Sequence, residues 1–413
     1  MHRIISGDVL RFAAHYRGPK FHAVLCDPPY ELGFMGKSWD SRGVSFRAET
    51  WAAIGSLLAP GAHLLAFGGT RTFHRIAVAI EDAGFELRDT IGWMYGSGFP
   101  KSHDVSKAID REAGAEREVI GTKIGRDGAK RNPSLHVAPM AQNAYGEYAT
   151  SSWAQPITAP ATDDARAWQG YGTALKPAWE PVIVARNPLL GTVAQNVQSY
   201  GAGALNVDGG RVSWANNADA AAAAAAVGFS LSRARGTVVQ SLSIGKESRG
   251  AKNTYHPLEL QGRWPANIIH DGSDEVTEIL GDAQRFFYCA KAGKRERSEG
   301  LEEFEKKLPV GGADKWTEQD RRKGEGATAS PRANHHPTVK PIALTEYLAR
   351  LILPAAVVGD RRILVPFAGS GSECIGAALA GWETIIGVER ENEYAKIARA
   401  RMEYHTRQNV IHG

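Results

Sequence analysis

The chain has 413 residues, 43% hydrophobic and 23% charged, and 49 Lys and Arg against 45 Asp and Glu leave a formal charge of +4. These are ordinary globular values for one large or two medium domains, and the mild basic bias permits an anionic partner without demanding one. Three scattered cysteines, Cys26, Cys289 and Cys374, argue against a disulfide framework or zinc site and for a reducing cytoplasm, and neither a leader pattern at the start nor an apolar run of membrane-spanning length is present.

In chain order, "FHAVLC" (21–26) reads as a buried strand. "TWAAIGSLLAPG" (50–61) reads as a helix stopped by Pro60 and Gly61, followed by a strand in "AHLLAFGG" (62–69). "RTFHRIAVAIEDAGF" (71–85) predicts a helix ending at Gly84, and "ELRDTIGWMY" (86–95) a third strand. This alternation predicts an α/β fold with a mostly parallel sheet covered on both faces. Residues 101–174 and 190–335 break the texture, being rich in Gly, Ala, Ser, Asn and charge. "NADAAAAAAA" (217–226) reads as an exposed linker or variable insertion sooner than a partner-binding helix. Between these zones, "LKPAWEPVIVARNPL" (175–189) holds a proline-bounded strand expected to return to the sheet and pair with "TIGWMY". The alternation then resumes: helix 338–353, strand 361–367, helix 372–382, strand 383–389 and helix 392–405.

Two stretches carry chemistry. "VLCDPPY" (24–30) ends a buried strand in Asp27, Pro28, Pro29 and Tyr30. By itself this is also ordinary turn chemistry. "ILVPFAGSGS" (363–372) sets a strand before a glycine turn and a helix after it. Gly369 and Gly371 let a ligand approach the backbone, the helix start offers N–H donors, and Glu389, ending the next strand, suits a ribose. The unit predicts nucleoside-cofactor binding, although Cys374 stands where a full dinucleotide pattern wants a third glycine.

Taken together, "DPPY" and "FAGSGS" resemble S-adenosylmethionine-dependent amino-methyltransferases of nucleic acids. With "DPPY" first and the glycine motif last, and with "GDVL" (7–10) and "HPTVKP" (336–341) in place, the order is similar to the circularly permuted beta group. "GSGFPKS" (96–102), "TALKPAWEPVIVAR" (173–186), "GRWPANIIHDGS" (262–273) and "FFYCAKAGKRER" (286–297) resemble a phage and prophage branch. The likeness covers roughly two thirds of the chain and departs where Glu31 replaces the Asn that many members carry after the tyrosine.

The resemblance implies a Rossmann-like methyltransferase fold formed by residues 1–100, 175–189 and 336–413. Residues 101–174 would be an insertion and 190–335 an insertion for target recognition. It implies methyl transfer to adenine N6 in double-stranded DNA, with cytosine N4 second. An RNA or protein amine methyltransferase is disfavoured by the permuted order, and a dead domain by the intact Asp27 and glycines. Ionised Asp27 and the Pro28 carbonyl would accept the two N–H bonds of the target amine, and Tyr30 would stack on the base once it is flipped out.

Around the cofactor, the resemblance sets Thr338 and Lys340 near its methionine carboxylate and Asp8 at its adenine amine, with Phe367 on the adenine ring. Without it, the 336–340 segment reads as a Pro-flanked helix start, Asp8 as an N-cap and Phe367 as core. Lys37 and Trp39 belong either to a loop closing over the flipped nucleotide or to a surface loop. Arg285, Lys291, Lys294 and Arg295, beside Phe286, Phe287 and Tyr288, suit phosphates and splayed bases. The scattered histidines suggest no metal cluster, and the reaction needs none. Many beta-group members resemble dimers, so a homodimer is an open expectation. A restriction nuclease partner, where one exists, is expected as a separate chain.

Overall fold

The computed structural model describes residues 1–31, 43–96, 102–126, 152–213, 262–274, 276, 278, 287–289, 291–307 and 331–412. The chain divides into two compact units, one of residues 1–97, 178–305 and 336–413, the other of residues 98–177 and 306–335.

The first unit is a Rossmann-like α/β sheet. Its strands are β1 (His2–Ser6), β2 (Phe21–Cys26), β3 (Leu58–Phe67), β4 (Glu86–Met94), β7 (Trp179–Arg186), β8 (Ile268–His270), β9 (Phe287–Tyr288), β10 (Arg362–Pro366) and β11 (Thr384–Glu389). The spatial order is β1-β11-β10-β2-β3-β7-β4-β8-β9. Every neighbouring pair is parallel except those made by β7, which runs antiparallel between β3 and β4. The expected pairing of "PVIVAR" with "TIGWMY" is observed, with Ile183 opposite Thr90 and Val182 opposite Ile91.

Strand alternation builds two cores. Ala23, Leu25, Leu65, Phe67, Ile363 and Val365 point to one face. There they meet α8 (Ile342–Leu351), α9 (Ser372–Ala380) and Met402 of α10 (Asn392–His412). Val24, Cys26, Leu64, Ala66 and Leu364 point to the other. That face is covered by α1 (Val9–His15), α2 (Ala48–Gly55) and α3 (Phe73–Asp82). A period of two on strands buried from both sides gives near-continuous apolar runs, the pattern read in the sequence.

Two element boundaries are corrected. The helix expected over 50–61 ends at Gly55, and β3 already begins at Leu58, so Pro60 and Gly61 lie inside a strand. A register shift makes this possible: Phe21 faces Leu58 whereas Ala23 faces His63, and Gly61 turns out at φ 75°. Proline is tolerated where the ladder is broken in this way. The helix expected over 338–353 begins only at Ile342, with Pro341 as its N-cap. The residue before a proline is kept out of the α region, which disfavours a helix running through Lys340.

Helices α8 and α9 cross in close contact. A Cβ on Gly376 would come within 2.5 Å of the Glu346 nitrogen and the Thr345 carbonyl carbon. Backbone cannot yield as a side chain can. Gly376→Ala is therefore expected to destabilise the protein by about 1–3 kcal/mol, read as a lower Tm in thermal unfolding.

The second unit contains α4 (Val105–Glu112), α5 (Asp163–Ala167) and an antiparallel pair, β5 (Val119–Arg126) and β6 (Ser152–Thr158). Asp110, fully buried, accepts from the backbone nitrogens of Ala161 and Thr162, from the Thr162 hydroxyl and from Arg117.

Candidate active site

Parallel pairing of β2 with β10 sets Ala23 beside Ile363 and Val24 beside Leu364, so the two strands end side by side. Asp27 follows one and Phe367 the other, although they lie at opposite ends of the chain. In an open α/β sheet this carboxyl edge is where ligands bind.

The turn after β10 is held in left-handed conformations: Phe367 at φ 61°, Gly369 at φ 51° and Gly371 at φ 84°. For a bulky residue such as Phe367 this costs on the order of 1–3 kcal/mol, and such strain clusters at functional sites. The turn is braced from several sides. A Cβ on Gly369 would meet His336 Nε2 at 3.0 Å, and one on Gly371 would meet Ala398 Cβ at 3.0 Å. Arg401, buried in α10, donates to the Ser370 carbonyl (2.7 Å) and to the hydroxyls of Ser370 (3.1 Å) and Ser372 (3.3 Å). His336 donates from Nδ1 to the Thr338 carbonyl and packs edge-on against Tyr394. Burial lowers its pKa to about 3, so the ring is neutral.

Glu389, at the end of β11, accepts from Gly369 N (2.7 Å) and Glu391 N (2.8 Å). Burial pushes its pKa up to about 7 against these bonds. Gly7 N donates to the Glu389 carbonyl at 2.8 Å, which ties the start of α1 to this strand end.

Around Asp27 the groups form a charged cluster. Oδ2 accepts from Lys340 Nζ at 2.6 Å, while Oδ1 is buried and has no partner among the described residues. Lys340, only 5% exposed, also donates to the Tyr30 hydroxyl at 3.1 Å and stands 3.5 Å from Glu180 Oε2. Glu180 takes the hydroxyls of Tyr30 (3.4 Å) and Tyr95 (3.3 Å). Burial opposes the charge on Lys340, but Asp27 and Glu180 outweigh it and raise its pKa. Burial first and the Asp27 charge second push Glu373, in the first turn of α9, up to about 7. The Tyr30 ring lies against Gly69, where a Cβ would sit 3.1 Å from its Cδ2. The Pro29 carbonyl accepts from the Ser45 hydroxyl at 2.7 Å. Glu31, at φ 53°, accepts from Gly43 N at 2.7 Å.

The residues expected from sequence thus fall into two adjoining groups. Asp27, Tyr30 and Lys340 form one, and Phe367, Gly369, Gly371 and Glu389 the other. Asp8 caps α1, accepting from Leu10 N (2.9 Å) and Arg11 N (3.2 Å). Thr338 is exposed. Among the expected DNA contacts, Lys291 lies over the Tyr95 ring at 3.5 Å. Arg295 is 91% exposed and pairs with Glu299. Lys294 opens α7 (Lys294–Ser298), its side chain undescribed, and Lys37, Trp39 and Arg285 lie outside the described residues. No group of three or more His, Cys, Asp or Glu among the described residues is placed to hold a metal ion. No described helix is long and apolar enough to cross a membrane.

Sequence reasoning missed Glu180, Glu373 and Arg401. The signal for Glu180 was present, as an acid at the mouth of a strand that had been expected beside "TIGWMY"; if that strand is antiparallel, its start lies at the carboxyl edge of its neighbours. Arg401, in "ARARM", reads as one more solvated helix charge.

No family model matches the chain. Type II methyltransferase M2.DpnII of Streptococcus pneumoniae is 46% identical over 71 residues, 17% of this chain and 25% of that protein. Type II methyltransferase M2.LlaDCHI of Lactococcus lactis subsp. cremoris is 37% identical over 89 residues, 22% of this chain and 29% of that protein. Each match therefore spans little more than a quarter of the relative's length. Among solved structures, M1.HpyAVI in complex with SAM aligns over 97% of this chain and 99% of its own, at 13% identity and a TM-score of 0.38. PvuII DNA methyltransferase (cytosine-N4-specific) aligns over 98% and 90%, at 10% identity and a TM-score of 0.39. These superpositions are too loose to bear on the site.

Proposed function

We propose that the chain methylates an exocyclic amine of a base in duplex DNA, adenine N6 first and cytosine N4 second, with S-adenosylmethionine as donor. The observation that carries this reading is the buried Oδ1 of Asp27, without a hydrogen-bond partner among the described residues, next to the strand end that bears the glycine turn. The short stretches shared with two Type II methyltransferases support it.

The residues present fit the cofactor. Glu389 offers a carboxylate for ribose hydroxyls, Gly369 and Gly371 leave backbone without a Cβ, and Phe367 offers a half-buried ring. Asp8 and Thr338 are assigned to the same ligand. When bound, the cofactor supplies an electrophilic methyl group on a positively charged sulfur.

The chain's own residues do the rest. An aromatic amine is a poor nucleophile because its lone pair is delocalised into the ring. Asp27 Oδ1 and the Pro28 carbonyl accept its two N–H bonds, pull the nitrogen toward tetrahedral geometry and stabilise the positive charge that develops there. The Pro29 carbonyl already accepts from the Ser45 hydroxyl, which fixes the turn. Tyr30, seated on Gly69, is the stacking face for a base flipped out of the duplex. Residues 190–335, apart from β8 and β9 in the sheet, are assigned to target recognition, with Lys291, Lys294 and Arg295 on DNA phosphates. The three cysteines are buried and none of them forms a disulfide.

The base is tested by digesting DNA treated with the pure protein. N6-methyladenine is expected. N4-methylcytosine would keep the mechanism and change the base.

A further inference from the structure

A buried lysine stands between two carboxylates at the head of β2. Lys340 Nζ lies 2.6 Å from Asp27 Oδ2 and 3.5 Å from Glu180 Oε2, with the Tyr30 hydroxyl at 3.1 Å and the Phe67 ring centroid at 4.7 Å. Buried charges persist when paired, and removing one partner leaves the other stranded. The groups facing this ammonium come from each neighbouring element: Asp27 and Tyr30 after β2, Glu180 on β7 and Glu373 on α9. Arg401, the other buried cation here, is bonded to the glycine turn. Asp27 and Glu180 therefore share the Lys340 charge, and Glu373 feels both Lys340 and Arg401.

The same contact settles which Asp27 oxygen is occupied. Oδ2 is held by Lys340, and Oδ1 has no hydrogen-bond partner among the described residues. We propose that Lys340, seated on Glu180 and Tyr30, is a positioning residue that holds Asp27 by Oδ2 and so keeps Oδ1 a charged acceptor for the target amine. The role rests on the methyl-transfer reading above. It differs from a lysine on the cofactor's carboxylate, which would be felt in cofactor affinity. Without Lys340, Oδ2 of Asp27 loses its donor, and the carboxylate is no longer fixed in the orientation that leaves Oδ1 to the amine.

The test uses the full chain. In Lys340→Met single-turnover methyl transfer is expected to fall by more than about tenfold with cofactor affinity preserved, and Lys340→Arg, which can still donate to Oδ2, is expected to recover part of the rate. A rate unchanged from wild type, or a loss confined to cofactor affinity, overturns the proposal.

Stability provides a second readout, should Lys340→Met fold poorly. The double variant Asp27→Asn/Lys340→Met strands no charge at this pair and should regain stability lost by Lys340→Met alone, whereas strict additivity overturns the pairing. A wild-type protein that leaves DNA unmethylated while the double variant still departs from additivity supports the pairing and refutes the reaction read onto it.

Discussion

Asp27→Asn is expected to reduce single-turnover methyl transfer by at least about 10²–10³-fold, the scale seen when one preorganised electrostatic contact to a transition state is removed, while leaving the cofactor bound. Asparagine keeps the shape and loses the charge. Its amide has one acceptor and one donor group, and the donor cannot serve an amine that must give up both of its N–H bonds. The substitution also takes its nearest counter-charge from buried Lys340 and leaves Glu180 at 3.5 Å, so the loss of stability should stay below the about 3–5 kcal/mol of a buried ion pair broken outright. Thermal unfolding of the variant must therefore accompany the rate. The double variant with Lys340→Met separates the two effects, since it should recover stability without recovering rate.

Glu389→Ala is expected to weaken S-adenosylmethionine binding by roughly 10–100-fold, the equivalent of about 1.5–3 kcal/mol for hydrogen bonds to a charged group. The wild-type affinity should itself depend on pH. Burial raises Glu389 to about 7, so its carboxylate is only partly formed at neutral pH, and a ligand that needs the carboxylate binds more tightly as pH rises from 6 to 8. In Glu389→Ala that slope should be reduced. Stability carries the opposite sign. The unfolded carboxyl titrates near the ordinary value, about 4.3, so between there and about 7 the folded state binds more protons and stability falls as pH rises. Glu373, also raised to about 7, adds to the same slope. Calorimetric titration across pH, with thermal unfolding alongside, checks both signs.

The parts of this site that are local in sequence were legible. "ILVPFAGSGS" and "ETIIGVE" each combine strand, turn and acid within a few residues, and the structure assembles Phe367, Gly369, Gly371 and Glu389 around one turn. "PVIVAR" was legible too, because a proline-bounded apolar run has few places to go except a sheet. What the sequence hid depends on long-range contacts or on backbone detail. Lys340 lies 313 positions from Asp27, and no periodicity connects them. Residues 338–340 are irregular and the helix starts only after Pro341, although their sequence reads as a helix start. Pro60 and Gly61 look like a helix stop, and only the broken register between β2 and β3 shows why a strand accommodates them. Two short strands, β8 and β9, sit in a zone of weak periodicity, and three and two residues are too few to signal.

The central claim, that the ends of β2 and β10 form one methyl-transfer site for DNA, is tested most directly by supplying the pure protein with methyl-labelled S-adenosylmethionine and offering unmethylated duplex DNA, RNA and protein as acceptors. Label is predicted to enter the duplex DNA, on a base amine, and to depend on Asp27. Cofactor that binds while the DNA stays unlabelled would contradict the account.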